Sequence, residues 1–175
     1  MSTLRSSDEA LAWLSAQGAH PWLVRHHELV VEAARQLVDG LAAPIKTCSR
    51  SKRTPSAAIH DAGKIVHPRE MAEAGHEHEE SGEALLLAAG VDARIARACV
   101  THADWSHASA TLEDRVIALA DKLWKGKRDD DLERALVDEL AARSGRASWE
   151  VFEALDGICE EVAKEGPDRL ARSVV

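Results

Sequence analysis

Nine histidines lie between His20 and His107, and the chain beyond His107 carries none. His60 is followed directly by Asp61, and Gly63 and Lys64 come next. A neutral imidazole beside a carboxylate offers ligand types suited to manganese, iron, nickel, cobalt or zinc. Adjacent residues on a helix point about 100° apart, so His60 and Asp61 can reach one ion only where a helix bends or ends. Gly63 is a suitable place for such an end. Four further groups stand at inward positions. His26 lies on the apolar stripe of its helix, where a buried imidazole needs a partner. His78 opens a helix, with Glu79 next and Gly82 four residues on. His102 ends a helix that is otherwise apolar on one face, and Asp121 interrupts the mostly apolar run Val116–Trp124, where a lone carboxylate is costly unless paired or metal-bound.

This set supports metal-assisted hydrolysis with one or two divalent ions. A bound ion lowers the pKa of its water from ~15.7 toward ~7 and polarises a phosphoryl oxygen. Asp61 is the candidate both to hold metal and to orient the attacking water, and Lys64 to meet phosphate charge. Lys122, Lys125, Lys127 and Arg128 form a small basic cluster beside Asp121, placed to attract a phosphorylated substrate, although lysines at a helix C-terminus also complement its dipole. Trp105 and Trp124 read as core.

The elements that must position these groups are helical. Ser7, followed by Asp8 and Glu9, is an N-cap for a short helix through Leu14 that Gly18 ends. Pro21 suits a first turn, and Trp22, His26, Leu29, Val30, Ala33 and Leu37 form one stripe, with Gly40 as the stop. Residues 83–90 and 92–103 read as two helices, with Asp92 capping the second. Thr111 starts another, and helices over 130–143 and 147–164 end at Gly145 and at Gly166-Pro167. No segment alternates with period two for long enough to be a strand. The expectation is an all-α bundle of about seven helices. The C-terminal residues Arg134, Leu136, Leu140, Trp149, Phe152, Leu155 and Ile158 carry no chemistry and form a closing hairpin, the face on which a homodimer would form. Ile45 to Ser56 is out of character: it is polar and basic where the spacing leaves room for part of a helix. A basic surface loop and a reading-frame slip in the parent gene both account for it, and the nucleotide sequence separates them.

At 175 residues the chain suits one domain, and a 45% apolar fraction is enough for a core. A net charge of −8 argues against extended nucleic-acid or anionic-membrane binding. No run approaches the ~20 apolar residues of a membrane span, and Met1 to Glu9 lacks signal-peptide character. Three widely spaced cysteines indicate neither a disulfide framework nor a Cys-x-x-Cys metal site. A cytoplasmic location is expected.

The order His … His-Asp … His … His … Asp resembles the HD-domain superfamily of metal-dependent phosphohydrolases. The resemblance spans about Pro21 to Arg128. It rests on His60-Asp61-Ala62-Gly63-Lys64, on His78-Glu79-Glu80-Ser81-Gly82 and on Leu119-Ala120-Asp121-Lys122-Leu123. It implies an all-α fold with metal inside the bundle, and His26, His60, Asp61 and Asp121 as core ligands. His78 and His102 match additional histidines found where members hold a second metal or bind the substrate phosphate. Two choices stay open: His27 adjoins His26, and His76 precedes His78. The implied activity is hydrolysis of a small phosphomonoester or phosphodiester, such as a nucleotide or a cyclic phosphodiester, with specificity in the loops Pro68–Gly75 and Asp104–Ala110. The alternative is a catalytically silent module that binds metal and a phosphorylated ligand.

Overall fold

The computed structural model describes residues 4–42 and 55–174, so most of the Ile45–Ser56 patch, and Cys48 with it, lies outside the described residues. The described chain is all-α, with nine helices: α1 (Ser7–Ala16), α2 (Pro21–Ala42), α3 (Glu77–Ala88), α4 (Ala93–Ala96), α5 (Ala98–Thr101), α6 (Leu112–Leu123), α7 (Asp130–Ser144), α8 (Ser148–Lys164) and α9 (Gly166–Arg172). Three 3-10 turns, Ser56–Ala58, Ala62–Ile65 and Pro68–Met71, lead from α2 to α3. Among the described residues there is no strand, and no helix is long and apolar enough to cross a membrane.

The long helix α2 is the axis of the fold. Leu29, Val30, Ala33, Ala34 and Leu37 are buried against α6, α8, α1 and the Ser56–Ala58 turn. Helix α7 packs on α6 and α8, and Leu136, Leu140 and Leu155 of that hairpin close the core. Trp149 and Phe152 lie outside it, 67% and 57% exposed.

Local chemistry explains most helix ends. Thr111 Oγ1 accepts from the Asp114 amide while the Asp114 carboxylate accepts from the Thr111 amide, a reciprocal cap for α6. Asp92 caps α4 through the Arg94 amide, as expected.

Four expectations need correction. Ser6, not Ser7, caps α1: its extended backbone lets Oγ accept from the Glu9 amide at 3.2 Å, while Ser7 is the first helical residue. Helix α2 does not stop at Gly40. A Cβ there would lie 2.9 Å from Ile158 Cγ2, so this glycine provides room for α8 to cross rather than a terminus. The 92–103 segment breaks at Arg97 into α4 and α5. Gly166-Pro167 both follows α8 and begins α9, because a proline in a first turn sacrifices no intrahelical hydrogen bond.

Candidate metal centre

The His60-Asp61 pair stands between the first two turns, where the backbone leaves helical geometry and both side chains can face one place. Two glycines let that turn press onto α3. A Cβ on Gly63 would lie 1.8 Å from the His78 carbonyl oxygen, and one on Gly82 would lie 2.8 Å from the Gly63 nitrogen. The two glycine-bearing motifs therefore interlock, and their contact brings His78 to Asp61.

His26 from α2, His60 and Asp61 from the turn, His78 from α3, His102 at the end of α5 and Asp121 from α6 converge on one buried place. His60 is fully buried, Asp61 and His26 nearly so, and the Asp121 side chain is 22% exposed. His26 Nε2 lies 3.4 Å from His60 Nε2, 3.3 Å from Asp61 Oδ2 and 3.5 Å from Asp121 Oδ1. His60 Nε2 is also 3.5 Å from Asp121 Oδ1. On the other side of the same carboxylate, Asp61 Oδ1 is 3.1 Å from His78 Nε2 and 3.4 Å from His102 Nε2. His60 Nε2, 3.8 Å from Asp61 Oδ2, stands between the two groups.

The outer ring nitrogens decide what this arrangement can hold. Nδ1–H of His60 donates to the Ala57 carbonyl at 3.0 Å, and Nδ1–H of His102 donates to the Ala98 carbonyl at 3.0 Å. Nδ1–H of His78 donates to the Glu70 carboxylate. A carbonyl or carboxylate can only accept, so in each neutral ring Nε2 carries a lone pair. Those lone pairs face carboxylate oxygens, acceptor against acceptor, and buried Asp61 Oδ1 accepts no hydrogen bond. A bound cation would satisfy such a cluster, as would added protons on the rings. Ligands bonded at about 2.1 Å to one ion sit roughly 3.0–3.4 Å apart, close to the separations here. Sets that can converge on one ion include His26, His60 and Asp121, and His60, Asp61 and His102. The residues fit one or two divalent ions; the cluster alone does not select which metal.

The same groups perturb one another's ionisation. Burial opposes ionisation of Asp61, but the surrounding His60, His102, His26 and His78 hold its carboxyl well below the usual range. Burial likewise opposes ionisation of Asp121, yet His60, His26 and Lys125 lower it. Burial lowers His60 although Asp61 and Asp121 pull it up. For His102 and His78 burial also lowers, but the attraction of Asp61, joined by Asp121 for His102 and by Glu70 for His78, together exceeds it and both are raised.

His27 is not in this ring of ligands. Its Nδ1–H donates to the Leu23 carbonyl at 2.8 Å and its Nε2 accepts from the Asp61 amide at 3.2 Å, so it ties α2 to the turn. His76 precedes α3 and makes no side-chain cap, which leaves His78 as the inward residue.

The basic residues separate. Lys64 Nζ donates to Asp61 Oδ2 at 2.6 Å. Lys125 Nζ sits 3.9 Å from Asp121 Oδ2 and 5.9 Å from the Trp124 ring centroid. Lys122 instead pairs with Asp129 at 3.2 Å, and Arg128 is held by Glu133 and Asp156. Lys122, Lys125 and Arg128 are thus paired with different carboxylates, and the chain turns at Gly126 with φ +77° between the last two.

Trp124 is buried and packs edge-on to His26, as a core residue should, and Trp105 packs partly buried against the core. Cys99 and Cys159 are buried free thiols whose burial pushes their pKa up, that of Cys159 to about 12. A third group, His67, Glu70 and Glu77, has similar spacing but lies near the surface, with Glu77 74% exposed and Glu70 occupied by amide donors. No family model, curated protein or solved structure matches the chain.

Proposed function

We propose that this chain is a metal-dependent phosphohydrolase acting on a small phosphomonoester or phosphodiester, such as a nucleotide or a cyclic phosphodiester. The observation that carries the reading is the buried ring of acceptors around Asp61, split into two groups by the two oxygens of one carboxylate. His26, His60, Asp121 and Asp61 Oδ2 would hold one ion, and His78, His102 and Asp61 Oδ1 a second. When bound, a divalent ion supplies Lewis acidity and lowers the pKa of its water toward ~7.

The chain's own groups supply the rest. Ionised Asp61 orients toward both positions because His27 fixes its backbone and Lys64 fixes Oδ2. Lys64 thereby keeps a positive charge beside the ligands, where a phosphoryl oxygen would enter, and Lys125 adds a second at the rim next to Asp121. Lys122, turned toward Asp129, is not proposed to bind substrate.

The test is hydrolysis of nitrophenyl phosphate and bis-nitrophenyl phosphate by purified protein supplied with manganese, cobalt, nickel, iron or zinc. Turnover should require metal, and His60→Ala and Asp61→Ala should abolish it with helicity intact. Undiminished turnover in both variants would overturn the reading. Tight binding of a phosphate ester without turnover under every metal would identify a binding module instead.

A further inference from the structure

We propose that Glu70 is the positioning residue for the second metal position, setting that position's affinity without touching the ion. This rests on the two-position reading above. Glu70 lies in the Pro68–Met71 turn, eight residues before His78, in a loop expected to govern specificity. Its Oε1 accepts from the Glu77 amide at 3.1 Å, and its Oε2 accepts from the His78 amide at 3.0 Å and from His78 Nδ1–H. One carboxylate thus caps α3, whose N-cap residue His76 makes no side-chain bond, and fixes the ring of the ligand in that helix's first turn. With Nδ1–H committed to Glu70, His78 presents its Nε2 lone pair to the space beside Asp61 Oδ1, 3.1 Å away.

Carboxylate partners of ligating histidines orient the ring and raise its basicity, and their loss typically costs about 10–100-fold in metal affinity. No equivalent exists on the first position: His60 donates to a backbone carbonyl, and His26 Nδ1 has no partner. Gly75 leaves the room that the Glu70 carboxylate occupies: a Cβ there would lie 2.3 Å from its Oε1. A methyl group at Gly75 would displace the carboxylate while leaving every charge and every ligand unchanged.

The experiment titrates Co²⁺ into metal-stripped protein, followed by calorimetry and elemental analysis, with circular dichroism as the folding control. The wild type should bind two ions. Glu70→Gln should weaken one of them about 10–100-fold and leave the other within about twofold. Gly75→Ala should act in the same direction, and Glu77→Gln, an equal change of charge next door, should change neither. In an Asp121→Ala chain, where the second position is the better preserved, the loss caused by Glu70→Gln should persist. Equal weakening of both ions, no weakening, or a fall in metal-free helicity as the only effect would overturn the assignment. A single ion on the wild type would also overturn it, and would leave the proposed hydrolysis standing if that ion supports turnover. Failure to bind any ion would remove both.

Discussion

Two polar clusters, each with a fully buried member, pack against helix α2, and they differ in how completely they satisfy themselves. In one, Arg169, fully buried, donates to Glu32 at 3.0 Å, to the Val162 carbonyl at 2.7 Å, to Glu165 at 3.0 Å and to Gln36. Arg172 adds two more bonds to Glu32. Donors meet acceptors throughout, and the cluster fastens α9 and α8 to α2. In the other, the Nε2 lone pairs of neutral His78 and His102 face Asp61 Oδ1, and His26 Nδ1 and Asp61 Oδ1 are unbonded. Burial of polar groups is common to both. Completeness separates a brace from a site, because a buried group without a partner costs free energy that only a ligand recovers.

This contrast can be broken by experiment. The largest effect falls on catalysis: Asp61→Ala removes the only carboxylate shared by both ion positions, and turnover of nitrophenyl phosphate should drop at least ~10²–10³-fold, while Arg169→Leu should leave turnover of the folded fraction unchanged. Metal stabilisation comes next. At ~1,000 times the dissociation constant a bound ion adds about 4 kcal/mol, which is roughly 8–16 °C in Tm for a chain of this size. Scanning calorimetry should find that increment in the wild type and in Arg169→Leu, and find it reduced in His60→Ala, which loses a ligand of the first position.

Arg169→Leu should lower metal-free stability by about 2–3 kcal/mol in denaturant titration, since Val162 and Gln36 lose their donor while Glu32 and Glu165 stay partly solvated. An unchanged midpoint would mean that the brace contributes nothing. The smallest effect is on pH. Hydrogen bonding from Arg172 holds Glu32 below its usual value despite partial burial. A depressed carboxylate stabilises the fold above its unfolded pKa of about 4.5, and that contribution is lost as pH falls through the lower folded value. Wild-type stability should therefore decline below about pH 4.5, and Glu32→Gln should flatten that part of the profile.

Several features were legible before any coordinates. The 3.6-residue spacing marked the helices, the Thr111 and Asp92 caps followed from side-chain chemistry, the inward positions of His26, His102 and Asp121 followed from apolar neighbours, and His78 was marked by its place before Glu79 and Gly82. Others were not. Spacing could not separate His26 from His27, because α2 is buried over most of its circumference and both rings point inward. Glu70 left no signal, since its partner is brought to it by a turn rather than by helical periodicity. The basic residues 122–128 look contiguous in sequence, yet Lys122 and Arg128 pair with different carboxylates, and the glycine at 40 carries the same letter whether it ends a helix or admits a neighbour.

Residue types and their periodicity alone determined that the chain is helical and that it commits imidazoles and carboxylates to inward faces, since both follow from local geometry and the cost of burying polar groups. Only the tertiary structure decided which nitrogen of each ring is free, which carboxylate oxygen each one meets, and that Asp61 divides the acceptors into two groups. Those outcomes depend on hydrogen bonds from the far side of each ring, to Ala57, Ala98 and Glu70. The spacing of those partners along the chain records nothing of their distance in space.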